Sequence, residues 1–181
     1  MENKSYLKEI LLTEEKIKSI VKELAERINT DYAGKELLVI VILKGSFVFA
    51  ADLVREIEIP LELDFMVVSS YGSGSSSSGI VKIIKDLNES IKGKHVIIIE
   101  DILDSGITLS NLMEVLKVRQ PETLEICTLL NKPERRKAQV DAKYIGCDIP
   151  DEFIVGYGLD YDEKYRNLPF VGVLRPEVYT K

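Results

Sequence analysis

The 181-residue chain has one histidine, His95, and two cysteines, Cys127 and Cys147. A single histidine speaks against a histidine-based metal site and against a Ser-His-Asp triad. The two cysteines match no metal-binding spacing, and a chain of this size needs no stapling. They read as free thiols in a reducing compartment. No apolar run approaches the ~20 residues that span a bilayer. The N-terminus, MENKSYLKEI, is charged and lacks a signal-peptide core, so a cytoplasmic protein without membrane association is expected. Basic residues are in deficit, 24 Lys and Arg against 30 Asp and Glu, for a net charge of −6. That balance speaks against work on a nucleic-acid backbone.

What is present suits one globular domain spanning 1–181, with a 45% hydrophobic fraction and no internal repeat or linker. Residues 13–33 read as a helix. Thr13 can cap it, Glu14 and Glu15 suit its positive start, and Gly34 suits its stop. Ile17, Ile20, Val21, Leu24 and Ile28 share a face. Leu37–Leu43 is a continuous apolar run, read as a buried strand. Lys44-Gly45-Ser46 interrupts it, and a helix follows to about Arg55. Further strands are read at Leu61–Ser69, Ile80–Ile84, Val96–Ile99, Leu124–Leu130 and Phe153–Val155, and a helix at Leu109–Val118. Apart from Tyr71, the stretch YGSGSSSSG (71–79) is serine and glycine throughout, so it reads as a flexible, solvated loop.

Wholly apolar strands alternating with amphipathic helices predict an α/β fold, a mostly parallel sheet flanked by helices. In such sheets ligands bind beyond the carboxyl ends of the strands. Three unusual loops follow strands directly: Lys44–Ser46, Glu100–Thr108 and Asn131–Pro133. They are expected to converge at one rim.

The densest chemistry lies in VIIIEDILDSGITLS, residues 96–110. A helix starting near Thr108 aims free N–H groups and a positive dipole end at the preceding loop, and Gly106 admits close approach to the backbone. Glu100, Asp101 and Asp104 would repel a bare anion there. A sugar phosphate resolves the conflict: its hydroxyls or a Mg²⁺ ion suit the acids, and its phosphate suits the helix start. Turn-shaping by Asp104 and Ser105 alone is the plainer alternative.

That segment resembles the phosphoribosyl pyrophosphate (PRPP) motif of the type I phosphoribosyltransferases. With LKGS (43–46), SSYGSG (69–74), LLNKPERR (129–136) and FIVGYGLDYDEKYRNLPF (153–170), it resembles the bacterial branch acting on hypoxanthine and guanine. The resemblance runs from about Leu11 to the C-terminus. It implies the type I fold with a small hood built from the N-terminal residues and the part after about 150. It implies a Mg²⁺-dependent purine salvage transferase that forms IMP or GMP and assembles as a homodimer or homotetramer.

Residue by residue, the resemblance implies the following. Glu100 and Asp101 face the ribose hydroxyls, directly or through Mg²⁺. Asp104 is the catalytic acid/base near purine N7. The amides from Ser105 through Gly106, Ile107, Thr108 and Leu109, with the Ser105 and Thr108 hydroxyls, hold the 5′-phosphate. Ile107 stands where some relatives carry a basic residue, so only its backbone serves. Lys44 and Gly45 form the pyrophosphate loop, with a cis Leu43–Lys44 peptide, and Arg166 reaches the same group. Ser70 and Tyr71 belong to a closing lid. Lys132 donates to the purine 6-oxo group, Phe153 stacks on the base, Ile154 offers its backbone to the base edge, and Asp160 holds a second Mg²⁺. Lys132 has only donors, so the amino group of adenine would leave polar groups unpaired.

Outside this pattern, Arg135 and Arg136 are read as a solvated face of a short helix, and His95 as structural. A uracil phosphoribosyltransferase doubling as an RNA-binding attenuator would share the PRPP motif but not the Lys132 and Phe153–Asp160 pattern. A phospho-receiver domain fails because its acids should follow the first strand, which here ends in Lys44.

Overall fold

A computed structural model describes residues 5–70 and 81–180, with the backbone only at Ser70. In chain order the elements are β1 (Leu7–Leu12), α1 (Glu14–Asp31), β2 (Leu37–Leu43), α2 (Phe47–Glu56), β3 (Leu61–Ser70) and β4 (Val81–Lys85). There follow β5 (His95–Leu103), α3 (Ile107–Lys117), β6 (Thr123–Asn131), a 3-10 turn at Pro133–Arg135, β7 (Tyr144–Asp148), β8 (Ile154–Val155), β9 (Val171–Leu174) and α4 (Pro176–Tyr179).

Six strands form the main sheet in the order β4-β3-β2-β5-β6-β7. All pairings are parallel except that of the edge strand β4, which runs antiparallel to β3. Alternation along β2 and β5 sorts the core into two layers. Val39, Val41, Ile97 and Ile99 join the buried faces of α1 and α2. Leu38, Ile40, Ile42, Val96 and Ile98 pack instead with Leu109, Leu112 and Leu116 of α3. Both faces are covered, which is why these strands carry no polar side. The chain turns outward in opposite directions from β2 and β5, so the loops after them flank the sheet's switch point, where α/β folds place ligands.

A second sheet, order β1-β9-β8, is antiparallel and joins the N-terminal strand to the C-terminal part. Phe170 and Leu174 pack beneath it with Leu7 and Val155. Strands β1, β7 and β9 are absent from the sequence reading. β1 (LKEILL) carries charges within its run, and β7 and β9 are short, so pairing rather than pattern defines them.

Helix α1 starts as expected. Thr13 Oγ1 accepts the Lys16 N–H at 3.3 Å, and Glu14 and Glu15 occupy the first turn. It stops at Asp31, short of the expected 33, and Gly34 sits in the turn beyond with φ +74°. Ile80, the expected start of the strand observed as β4, lies outside the described residues. The larger difference is at β5. It does not stop before the carboxylates but runs through Glu100 and Asp101 to Leu103, because Glu100 pairs with Thr128 and Leu103 with Asn131 of β6. The acids are therefore held on a strand end rather than in a loop.

Candidate active site

A cavity of about 490 Å³ opens at the carboxyl ends of β2, β3 and β5. Lys44 and Gly45 line one side; Glu100, Asp101 and Asp104 line the floor; Ser105, Gly106, Thr108 and Leu109 line the other side. The predicted convergence of the first two loops is therefore present in one space. Ile107 does not line it. Its N–H points back to Ser105 Oγ at 3.4 Å.

Helix α3 begins at this rim. Gly106 is its N-cap at φ +78°, left-handed backbone that a side-chain residue adopts at a cost, and no side chain caps the helix. Apart from the Ile107 N–H, which Ser105 Oγ accepts, the first-turn N–H groups and the dipole's positive end are thus available to a ligand. The carbonyls of this loop are turned away and satisfied elsewhere. Ser105 O accepts from the Lys137 and Ala138 amides at 2.9 and 3.1 Å. Arg136 donates to the carbonyls of Asp104 (3.2 Å) and Leu103 (3.3 Å) and to the Asn131 side chain. This corrects the reading of Arg136 as a solvated residue: it braces the loop from behind.

The acid pair is half-buried and crowded. Burial, with Asp101 alongside, pushes the Glu100 carboxyl well above its usual range. Burial also raises Asp101, to about 6, against opposing pulls from the Ile102 N–H and the Arg166 charge. Glu100 Oε2 is sealed from solvent and has no hydrogen-bond partner among the described residues. Two neighbouring half-buried carboxylates with an orphan oxygen fit a hard divalent cation. Mg²⁺ takes one or two carboxylates and leaves its other positions to water and substrate oxygens. Among the described residues no three His, Cys, Asp or Glu side chains gather into a closed metal cage.

Gly45 explains how Asp101 fits beneath the β2–α2 loop. A Cβ on Gly45 would overlap Asp101 Oδ2 and lie 2.8 Å from Cγ. The Leu43–Lys44 peptide is cis, as the resemblance implied. The chain after β8 closes over this loop, with Gly158 against the Gly45 carbonyl so tightly that no Cβ would fit. Arg166 anchors there, donating to Gly158 O at 2.9 Å and pairing with Asp160 Oδ1 at 2.9 Å. Asp160 and Arg166 both act electrostatically on Asp101. They do not line the cavity, but they border it.

The third loop closes the other side. Lys132 is buried, its amide donates to Leu103 O at 2.9 Å, and its Nζ donates to Glu152 O at 2.6 Å. Burial lowers its pKa, while Asp104 and Asp151 pull the other way. Phe153 is 39% exposed, stacked on Tyr179 at 4.7 Å and meeting Tyr161 edge-on. Ile154 is buried beside it in β8. Ser70 ends β3, whose Val68 and Ser69 line the cavity. The Ser70 side chain and Tyr71 lie outside the described residues.

Arg135 is exposed, as read, yet it faces two carboxylates. Its Nε lies 2.9 Å from Asp104 Oδ1, and its Nη1 lies 3.4 Å from Asp151 Oδ1. Asp104 is thus flanked by Arg135 and Lys132, not left as a free turn carboxylate. The proline at the start of the 3-10 turn bends Arg135 back toward β5. Glu163, Asp151, Tyr161 and Tyr179 also border the site, beyond what the sequence predicts. Tyr161 and Glu163 lie within the 153–170 motif, which implies no role for either, and Asp151 and Tyr179 lie outside every motif.

A parallel sheet with an acid pair and an uncapped helix start at its carboxyl edge defines the phosphoribosyltransferase class of nucleotide-handling proteins. A family profile, the phosphoribosyl transferase domain, matches residues 8–162. A hypoxanthine-guanine phosphoribosyltransferase of Staphylococcus aureus is 58% identical over 174 residues, covering 96% of this chain and 97% of the relative. A crystal structure of a hypoxanthine phosphoribosyltransferase from S. aureus superimposes with a TM-score of 0.97 at 55% identity over the whole of both chains. A ternary substrates complex of a Trypanosoma cruzi hypoxanthine phosphoribosyltransferase variant matches with a TM-score of 0.92 at 44% identity, covering 97% and 99%. The chain belongs to the hypoxanthine-guanine phosphoribosyltransferase family. These relatives give no support to the uracil reading.

Proposed function

We propose that this chain transfers the phosphoribosyl group of PRPP to N9 of hypoxanthine or guanine, forming IMP or GMP and releasing pyrophosphate. The observation that carries the reading is one cavity lined by Lys44 and Gly45 on one side and by the acid pair and the start of α3 on the other, with the Lys132 loop bonded to the adjoining end of β5. The amides of Ser105–Leu109 with the Ser105 and Thr108 hydroxyls hold the 5′-phosphate. Glu100 and Asp101 orient the ribose hydroxyls at the other end of the same sugar. Lys44, the Gly45 backbone and Arg166 take the pyrophosphate, where negative charge grows as it departs. Carboxylates nearby tolerate the positive charge left on the sugar. Phe153 stacks the base, Ile154 meets its edge through the backbone, and Lys132 donates to its 6-oxo group. Asp104 exchanges the proton at N7.

Glu100 and Asp101, with Asp160, are the residues that would hold Mg²⁺, which supplies positive charge opposite the leaving group. The small β1-β9-β8 sheet is the hood. The reading also carries a cytoplasmic enzyme, a homodimer or homotetramer by light scattering, acting on small molecules without nucleic acid or membrane. No helix among the described residues is long and apolar enough to cross a membrane.

The test is pyrophosphate release from PRPP and Mg²⁺ with hypoxanthine, guanine, xanthine, adenine and uracil in turn. Turnover with hypoxanthine or guanine, abolished by EDTA and restored by Mg²⁺, is expected. Turnover with uracil alone, or no turnover with any of the bases, overturns the reading.

A further inference from the structure

Glu163 sits where a ligand's charge belongs. Its Oε2 lies 3.1 Å from Lys44 Nζ and 3.3 Å from Arg166 Nη2. These two cations come from different parts of the fold, and one carboxylate oxygen bridges them. We propose that Glu163 is a built-in stand-in for the pyrophosphate group, occupying its two cations when the site is empty and yielding them when it fills. This rests on the reading above that Lys44 and Arg166 bind pyrophosphate.

The turn carrying Glu163 is shaped to present it. Its N–H donates to Asp160 Oδ2 at 2.9 Å, and Tyr161 bridges Lys164. Asp162 and Glu163 both adopt left-handed backbone, at φ 51° and 59°, a conformation that costs free energy for residues with a side chain. Hydrogen bonding to Lys44 and then to Arg166 holds the Glu163 carboxyl below its usual range, so it stays ionised at neutral pH.

The two ends of the bridge differ in freedom. Glu163 and Lys44 are 66% and 67% exposed, so their pairing is weak and readily exchanged. Arg166 is only 20% exposed and keeps its bonds to Gly158 and Asp160 without Glu163. Displacement therefore moves Glu163 and Lys44 while Arg166 stays in place. A multiply charged anion entering between the cations repels the carboxylate and outcompetes it. When pyrophosphate leaves, Glu163 returns, so the cations are not left unpaired. The carboxylate thus weakens the hold on the leaving group, raising the KM for PRPP and easing product release.

A purely structural role for Glu163 predicts the opposite sign: without it, Lys44 and Arg166 would lose their alignment and bind pyrophosphate less well. Calorimetric titration of the full chain with Mg·pyrophosphate separates the two. Glu163→Gln keeps the backbone bond to Asp160 and should tighten binding by roughly two- to tenfold, the range two exposed ion pairs allow. The KM for PRPP should fall in the same ratio with the KM for hypoxanthine unchanged. Glu163→Ser, which cannot reach the cations, should behave alike. Unchanged or weaker pyrophosphate binding in both variants overturns the proposal. Lys44→Met tests the underlying reading separately. If it leaves Mg·pyrophosphate binding intact, the pyrophosphate site itself is misassigned. If it weakens binding while Glu163→Gln fails to tighten it, only the role of Glu163 is lost.

Discussion

Substituting Gly45 by alanine tests how closely the site is fitted. The added Cβ overlaps Asp101 Oδ2, with Cγ 2.8 Å and Oδ1 3.5 Å away. Asp101 cannot retreat freely, because its Oδ1 accepts the Ile102 N–H at 2.7 Å and β5 is paired to β6 on either side of it, at Glu100 and Ile102. Overpacking of this kind costs about 1–3 kcal/mol of stability. The rate should suffer at least as much, since a misplacement of about 1 Å in a reacting group costs about 10²-fold, or about 2.7 kcal/mol of barrier. Gly34→Ala is the control. Gly34 has φ +74°, and a Cβ added there meets nothing within 4 Å, so the cost is backbone strain of about 1–2 kcal/mol and no change in rate. Thermal unfolding and steady-state kinetics with PRPP and hypoxanthine should therefore split the two variants. Gly45→Ala retaining kcat/KM within about threefold of wild type would refute the claim that Asp101 must sit against a bare backbone.

Asp104→Asn should lower kcat by about 10²–10⁴-fold with little change in the KM for PRPP; abolished PRPP binding would leave its proton-transfer role unsupported. Arg135→Gln removes the counter-charge 2.9 Å from Asp104 Oδ1, a half-exposed ion pair worth about 1 kcal/mol at most, and should lower kcat by up to about fivefold, with partial rescue by Arg135→Lys; an unchanged kcat would leave Arg135 without a part in the site. Lys132→Ala should lower kcat/KM for hypoxanthine by about tenfold to a hundredfold and narrow the preference over adenine, and unchanged base preference would count against its contact. For stability, burial alone would raise the Asp64 carboxyl, but bonds from the Asn88 and Phe65 amides and from Lys85 outweigh it and hold it low. Its folded pKa lies below its unfolded one, so its contribution is present above about pH 4 and lost as pH falls through the folded value. Melting temperature measured from about pH 7 to about pH 3 should drop on the acid side, and Asp64→Asn should flatten that limb; parallel curves would refute the assignment.

The strand–helix alternation, the buried β2 and β5, the cap at Thr13 and the glycine at the start of α3 are all legible in the sequence. These follow from local rules: apolar periodicity, N-cap chemistry, and the steric freedom of glycine. The motif at 96–110 also sets acids and helix start side by side, because they are adjacent in the chain. Local rules do not supply where strands end or which charges meet. β5 continues through Glu100 and Asp101 only because β6 lies beside it to accept the pairing. Arg135 and Arg136, alike and adjacent, diverge because one reaches Asp104 and the other the carbonyls behind it. Lys44 and Glu163 stand 119 residues apart, and no sequence pattern couples them. Architecture and the chemical kinds at the rim were thus written into the order of residues, since both depend on near neighbours. The charge pairings within the site came from folding in three dimensions, since Coulombic contacts depend on distance in space and not along the chain.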